Sequence, residues 1–273
     1  MTRVMIVTTL LAAGTVSLPG QDRSSFGRSE SDWCRDSVWD GDREPRHCVV
    51  REQTLSGASA LAVDASANGG IRVRGWDRSD TRLRVRIDAS ARSDRRARDI
   101  VDAIRIETSG GRIRADGPDT GGNESWHVSY ELEVPRDAQL QLETRNGGIA
   151  IEDFRGSARF QAINGGINLV DVSGDLRGET RNGGINVQLS GTRWDGAGLD
   201  VESRNGGVKM NIPASYNAEL EIGTVNGGVK VDFPITVQGD LRRLPRNIST
   251  RLGSGGPRIR AVTTNGGVIV SRR

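Results

Sequence analysis

The sequence QLQLETRNGGIAIEDFRG (residues 139–156) is followed directly by SARFQAINGGINLVDVSG (residues 157–174), and residues 175–188, DLRGETRNGGINVQ, begin a third copy. The shared tripeptide Asn-Gly-Gly occurs seven times in the chain, each time followed by Ile or Val. The seven copies begin at Asn68, Asn146, Asn164, Asn182, Asn205, Asn226 and Asn265. A short repeat at a nearly constant period predicts supersecondary units that stack on one another.

Apolar residues alternate on both sides of each Asn-Gly-Gly with the period of a β-strand. In the first regular copy, Leu140 and Leu142 precede the turn, and Ile149 and Ile151 follow it. These side chains are expected to face one core. The Asn shares their parity, so we expect stacked Asn amides that form a ladder. We predict structural turns, with φ > 0 at the glycines, at Asn146, Gly147, Gly148, Asn164, Gly165, Gly166, Asn182, Gly183 and Gly184.

Two architectures fit an Asn-Gly turn: a meander of hairpins, and a solenoid whose coils pair in parallel. Equivalent positions repeat their size class from copy to copy, which favours the solenoid because stacked coils bring equivalent side chains together. We predict a mostly-β fold, a parallel β-helix (β-solenoid) with about 18–21 residues per regular coil. One short helix is expected at residues 94–104, where Ser93 is a candidate N-cap.

Length and composition suit an exported protein with a narrow core. The chain has 273 residues, 36 of them Gly, with 35% hydrophobic residues and a net charge of +3. Residues 1–20 have the basic start and short apolar stretch of a signal peptide. We predict that residues 21–55 form a segment with a Cys34–Cys48 disulfide, since these are the only cysteines. Residues 56–273 are predicted to be the solenoid domain. We expect no transmembrane anchor.

These motifs resemble the bacterial putative-adhesin domain family of unknown function, which is related to the head GIN domain of putative autotransporter adhesins. The resemblance rests on the Asn-Gly-Gly-Ile/Val repeats, on Tyr130–Pro135 leading into Leu140–Ile149, and on Gly253–Gly256 before the last repeat. It implies a right-handed β-helix exported to the cell envelope. The family has no catalytic residues to transfer to this chain.

Catalytic motifs are absent from the sequence. His47 and His127 are the only histidines, and no nucleophile elbow, zinc motif or phosphate loop occurs. We predict no catalytic residues, no metal and no cofactor. The alternative from another class is a β-helix polysaccharide-active enzyme, a lyase or hydrolase. Its acidic cluster would be Glu152, Asp153 and Asp171.

An arginine-rich tract is the candidate binding surface. We expect one strand pair to place the candidate anion-binding residues on a single face; they are Arg72, Arg74, Arg82, Arg84 and Arg86. The predicted partner is an anionic glycan or another envelope component, and nucleic acid is not expected after export. The predicted function is a non-enzymatic, adhesin-like periplasmic or surface module. A further alternative is a structural partner in envelope-stress signalling.

Overall fold

The computed structural model of the protein describes residues 29–35, 44–57, 59–65, 68–233 and 246–273. The predicted signal peptide therefore lies outside the described residues. The fold is mostly β, as predicted, and its strands form two ten-stranded sheets. From edge to edge, sheet A contains β1 (Arg46–Leu55), β4 (Thr81–Ser90), β7 (Ser125–Pro135), β3 (Ile71–Trp76), β9 (Ile149–Glu152), β11 (Ile167–Val170), β13 (Ile185–Gln188), β15 (Val208–Ile212), β20 (Val268–Arg272) and β17 (Val229–Val231). Sheet B contains β18 (Asn247–Leu252), β16 (Ala218–Asn226), β19 (Arg258–Asn265), β14 (Gly198–Asn205), β12 (Asp175–Asn182), β10 (Ser157–Asn164), β8 (Gln139–Asn146), β2 (Ala60–Asp64), β6 (Arg112–Asp116) and β5 (Arg105–Glu107).

Successive strands of the repeats alternate between the two sheets. A repeat unit consists of a strand of sheet B, a turn and a strand of sheet A, as in β8 with β9 and β10 with β11. Equivalent residues of neighbouring units pair in parallel, so that Asn164 stands between Asn146 and Asn182. The strands that flank each of these turns lie in different sheets. No hairpin forms there, which excludes the meander of hairpins for these repeats.

The core lies between the two sheets and is built from the alternating apolar positions. Leu140, Leu142, Ile149 and Ile151 are all buried, and equivalent residues of the other units are buried with them. Neighbouring units also compensate for each other in size. A Cβ on Gly178 would lie 1.7 Å from the Phe160 ring, so the missing side chain of one unit makes room for the aromatic ring of the next.

The order of the units in space differs from their order in the chain at both ends. The C-terminal unit, β19 with β20, lies between β14–β15 and β16–β17 and pairs in parallel with both. Likewise, β2 with β3 lies between β6–β7 and β8–β9. Each of these units therefore separates two units that are consecutive in the chain.

Antiparallel strands extend both ends of the stack, so the sheets are mixed and not wholly parallel. In sheet A, β4 pairs antiparallel with β7 and β1 with β4. In sheet B, β5 pairs antiparallel with β6 and β18 with β16. β18 therefore adds no further parallel unit to the stack. Antiparallel neighbours fill the edges that parallel units would leave open.

The structure contains two α-helices among the described residues, where the sequence predicted one. α2 (Asp94–Ala103) is the predicted helix, and the backbone N–H of Arg96 donates to the Ser93 side chain as an N-cap. α1 (Glu30–Arg35) was not predicted. Six residues are too few to show the apolar periodicity on which the prediction relied, and α1 is held by the disulfide and by Trp33 packing.

Candidate functional site

A groove of about 980 Å³ runs along the outer face of sheet A, across the strands. Its floor contains the second glycine of six Asn-Gly-Gly turns, which are Gly70, Gly148, Gly166, Gly184, Gly207 and Gly267. With about 4.8 Å between neighbouring strands, these six units span about 24 Å. The repeat therefore produces a long, straight depression whose floor carries no side chains.

The two glycines of each turn have different surroundings. A Cβ on the first glycine would overlap the neighbouring unit: at Gly165 it would lie 1.9 Å from the carbonyl oxygen of Gly147. A Cβ on the second glycine is less restricted. At Gly166 it would lie 3.2 Å from a carbonyl oxygen, and at Gly228, beyond the groove, it would meet no atom within 4 Å. The first glycine is thus required for stacking, whereas the second is exposed and forms the groove floor.

The prediction that the first glycines of these turns need φ > 0 was wrong. Gly147 and Gly165 do not have φ > 0; close approach of the backbones excludes a side chain instead.

The predicted Asn ladder is present, but its side chains are exposed at the corner and not turned into the core. The spatial order of the ladder is Asn68, Asn146, Asn164, Asn182, Asn205, Asn265 and Asn226, and from Asn146 onward each side-chain Nδ2 donates to the Oδ1 of the preceding Asn at 2.7–3.0 Å.

One wall of the groove is formed by the outward side chain two residues after each second glycine. In register across sheet A, this row comprises Arg72, Ala150, Asn168, Asn186, Lys209 and Ile269. The Nδ2 of Asn186 donates to the Oδ1 of Asn168 at 2.7 Å. Beyond this pair the row carries no further amide, so the remaining amide groups of Asn168 and Asn186 face the groove without a side-chain partner among the described residues.

α1 closes one end of the groove. The Trp33 ring lies under the guanidinium groups of Arg84 and Arg86, with its centroid 5.1 and 5.6 Å from their carbon atoms. Arg86 also donates to the carbonyl oxygen of Trp33 at 3.0 Å. The predicted disulfide, Cys34–Cys48, joins α1 to β1. It therefore holds in place the helix that contributes Trp33 to the groove wall.

The two lysines of the chain lie at the opposite end. Lys209 borders the groove, and Lys230 lies two strands further along, with Ile269 between them in register. All three side chains are exposed. Ile269, with an exposed fraction of 42%, is one of the few large apolar side chains in the described structure that face solvent. Within the described ranges, no carboxylate lies within ion-pair distance of either ammonium group.

The predicted arginine strand pair does not form. β7 lies between β3 and β4 and places Glu131 and Glu133 among the arginines. Arg72 contacts Glu131 at 3.4 Å, and Arg82 contacts Glu133 at 3.1 Å. A hydrogen bond from Arg82 also lowers the pKa of Glu52 on β1. The surface that contains Arg72, Arg74, Arg82, Arg84 and Arg86 therefore has mixed charge, and anion binding there stays a prediction.

Arg84 and Glu131 form a buried ion pair within this surface. The Arg84 Nη1 donates to the Glu131 Oε2 at 2.8 Å, and the two side chains are only 8% and 4% exposed. Removing one partner of such a pair leaves an uncompensated buried charge, which is strongly destabilising. Replacing Arg84 is therefore expected to destabilise the fold.

The acidic residues considered for a polysaccharide-active enzyme lie at the corner that follows β9 and β11. Arg74 contacts Asp153 at 3.5 Å. Burial raises the pKa of Glu152, and the neighbouring Arg72 and Arg74 oppose that shift. A cation thus approaches these acids, but neither Glu152, Asp153 nor Asp171 borders the groove. The part of the chain that the structure describes contains no group of His, Cys, Asp and Glu side chains placed to hold a metal ion.

Neither the groove nor the position of Lys209 beside it was predicted from the sequence. Both glycines of each turn were treated as corner residues, although the motif contains a signal that separates them. A tight corner needs one glycine, and the second glycine recurs in front of a strand, where it weakens the strand relative to Ala. A repeated, exposed glycine at a strand start is a recognisable sign of a surface that must stay open.

No protein-family model matches this sequence, and no curated protein matches it. A solved structure from Clostridium sporogenes, named a "putative cell adhesion protein", is 12% identical with a TM-score of 0.44; the match covers 83% of this chain and 100% of that chain. A "putative adhesin" from Bacteroides fragilis is 8% identical with a TM-score of 0.38, covering 83% of this chain and 97% of that one. A "putative lipid binding protein" from Parabacteroides distasonis is 10% identical with a TM-score of 0.31, covering 82% and 96%.

Proposed function

We propose that this protein is a non-enzymatic, adhesin-like module of the cell envelope or cell surface that binds a linear ligand in the glycine-floored groove. The proposal includes a β-solenoid fold for the repeat units and membership of the putative-adhesin family. The role of the solenoid is to hold the groove straight and rigid over about 24 Å, which is five strand spacings of about 4.8 Å each.

The continuity of the exposed glycine row carries the proposal. A strand surface gains stability from side chains on its outer face, and a glycine there costs about 0.5–1 kcal/mol relative to Ala. All seven units keep glycine at this position, six of them in the groove, and a Cβ at Gly166 would require the carbonyl oxygen 3.2 Å away to shift by a few tenths of an ångström. Close approach of the neighbouring backbone disfavours a side chain at these glycines, and the bare floor that results lets a ligand contact the backbone closely.

Rigidity supports a binding role as well. Seven Asn side chains join all Asn-Gly-Gly units through one hydrogen-bonded ladder, and the disulfide pins the helix that closes one end. A preformed groove of this kind loses little conformational entropy when it takes up a ligand. Catalysis is not part of the proposal, because Glu131, the one carboxylate among the described residues that border the groove, is buried and paired with Arg84.

Export to an oxidising compartment completes the proposal. The disulfide fits such a compartment, since disulfides persist there and are rare in the cytosol. The described residues contain no helix long and apolar enough to cross a membrane. Thiol labelling of the native protein, recovered from its own cell fractions, is expected to find no free cysteine and no full-length protein in the cytosol. Reduced, full-length cytosolic protein would contradict export.

Ligand binding can be tested with a groove-filling variant. Gly166→Ser together with Gly184→Ser places two side chains on the floor, and we expect it to abolish binding to a linear glycan on a glycan array. Gly228→Ser is the matched control, because it makes the same chemical change where nothing lies within 4 Å. Equal binding by both variants would contradict a role for the groove. Turnover of any bound polymer would instead favour a polysaccharide-active enzyme.

A further inference from the structure

We infer that the groove recognises a linear polysaccharide that carries carboxylates, and that Lys209 and Lys230 bind its negative charges. The inference rests on the proposed function, since it names the ligand class of the same groove. It comes from the charges and amide groups at this site and from the way the strands of the floor are paired.

Charge complementarity indicates an anionic ligand. Lys209 and Lys230 are exposed and have no carboxylate partner among the described residues, whereas many arginines in the described part of the molecule form ion pairs. Their strands are separated by the one that carries Ile269, so the backbones of the two lysines are about 10 Å apart across the sheet, two strand spacings of about 4.8 Å. Two cations in line with the groove suit a polymer with repeating charges better than a single anion.

Amide groups indicate a hydroxylated ligand. Asn186 donates to Asn168, but the row continues with Ala150 on one side and Lys209 on the other. The Asn168 amide can therefore donate both its N–H groups into the groove, and the Asn186 oxygen can accept there. Sugar hydroxyls are both donors and acceptors and match this set. The glycine floor lets a flat sugar ring approach the backbone closely.

A peptide fits the groove less well. An extended peptide binds a sheet by adding to an edge strand, where backbone groups are unpaired. The floor strands β9, β11, β13 and β15 each have a paired strand on both sides. Their backbone groups are consequently used within the sheet, and only side-chain and glycine contacts remain for a ligand that crosses them.

An acyl chain also fits less well. Lipid-binding sites surround the hydrocarbon with apolar side chains. Here the wall row contains Arg72, Asn168, Asn186 and Lys209 beside Ala150 and Ile269, and the other apolar residues that line the groove, among them Trp33 and Ile149, are themselves buried. The site is an open depression with amide and ammonium groups on its wall, which a hydrocarbon chain would leave unpaired.

The test measures binding of the full-length protein to a polygalacturonate oligosaccharide by calorimetry, at two salt concentrations. We expect Lys209→Gln with Lys230→Gln to weaken binding about tenfold, equivalent to about 1.4 kcal/mol, and to reduce the salt dependence. Arg181→Gln with Arg204→Gln is the matched control. It removes two exposed cations from the outer face of sheet B, and we expect its affinity to equal that of the native protein.

The outcomes separate this inference from the proposed function. If neutral dextran binds as tightly as polygalacturonate, and Gly166→Ser with Gly184→Ser abolishes both, the groove binds glycans and the anionic inference is overturned. Equal loss in the lysine and arginine double variants would also overturn it, because net charge alone would then explain the binding. Binding of phosphatidylglycerol vesicles that Gly166→Ser with Gly184→Ser abolishes, without binding of either polysaccharide, would overturn the inference and assign the groove to lipid.

Discussion

At the scale of single residues, the two glycines of each Asn-Gly-Gly turn have separate tasks. The first allows neighbouring units to approach until their backbones touch, and the second keeps the outer face bare. The two positions differ in how close an added Cβ would lie to the backbone of the neighbouring unit. A Cβ would lie 1.9 Å from a backbone oxygen at Gly165, but 3.2 Å from one at Gly166. The same residue type thus serves stacking at one position and, in our proposal, ligand access at the next.

Replacing the first glycine is expected to damage the fold. Gly165→Ala would force the Gly147 carbonyl away from the stack. We therefore expect a loss of at least about 3 kcal/mol in the free energy of unfolding, the upper end of the range for overpacked substitutions. Gly228→Ala, which meets no atom within 4 Å, is expected to stay within about 0.5 kcal/mol of the native protein. Urea denaturation followed by circular dichroism measures both. Similar losses in the two variants would refute the stacking role of the first glycine.

At the scale of the strands, hydroxyl groups join each unit to its neighbour beneath the Asn ladder. In five units a buried Thr or Ser two residues before the Asn donates to the carbonyl oxygen of the neighbouring first glycine, at 2.7–2.8 Å. These residues are Thr144, Thr180, Ser203, Thr224 and Thr263. The unit of β10 carries Ala162 at this position and lacks the bond. Among the units whose residue at this position is described, only the unit of β10 interrupts the row of hydroxyl groups.

Ala162→Ser is expected to restore the row. Its hydroxyl would reach the carbonyl oxygen of Gly147, and we expect the free energy of unfolding to rise by about 1 kcal/mol. Ala158→Ser is the matched control, because Ala158 is equally buried and pairs in register with Leu140 and Leu176. No acceptor row exists there, so the control should lose stability. Thermal unfolding of both variants decides the matter; a loss in both would show that the hydroxyl row contributes nothing specific.

At the scale of the whole molecule, the units are not stacked in the order in which the chain makes them. The C-terminal unit, β19 with β20, has a parallel neighbour on each side. The unit before it, β16 with β17, is one position further out and carries the antiparallel β18. The end of the chain is therefore an interior part of the stack, although chain ends usually fray first.

This order has a measurable consequence for local stability. Amide hydrogen exchange is expected to show β19 as strongly protected as β14 and more protected than β18, which lies at the edge of sheet B. Protection that falls steadily towards the C-terminus would contradict the inserted position of the last unit. Mass spectrometry after peptic digestion gives the comparison, with β5, the opposite edge strand, as the reference for weak protection.

The sequence by itself determined the repeat, the alternation of buried side chains, the helix at Ser93 and the disulfide. These depend on local spacing, since strand period two, a helix cap and a cysteine pair are all readable within a few residues. Leu140 and Ile149 fall in the core for that reason. The same spacing could not distinguish Gly165 from Gly166, because the difference arises from the neighbouring unit.

Only the tertiary structure decided which strands became neighbours. β7 separates β3 from β4, so that Glu131 and Glu133 lie among the arginines, and β19 separates β14 from β16. Every unit carries nearly the same side-chain pattern, so the pattern permits many stacking orders with similar contacts. The repeat pattern therefore does not specify the position of each unit in the stack. The groove exists because stacking aligns the exposed glycines, a property of the assembled sheet that no single repeat contains.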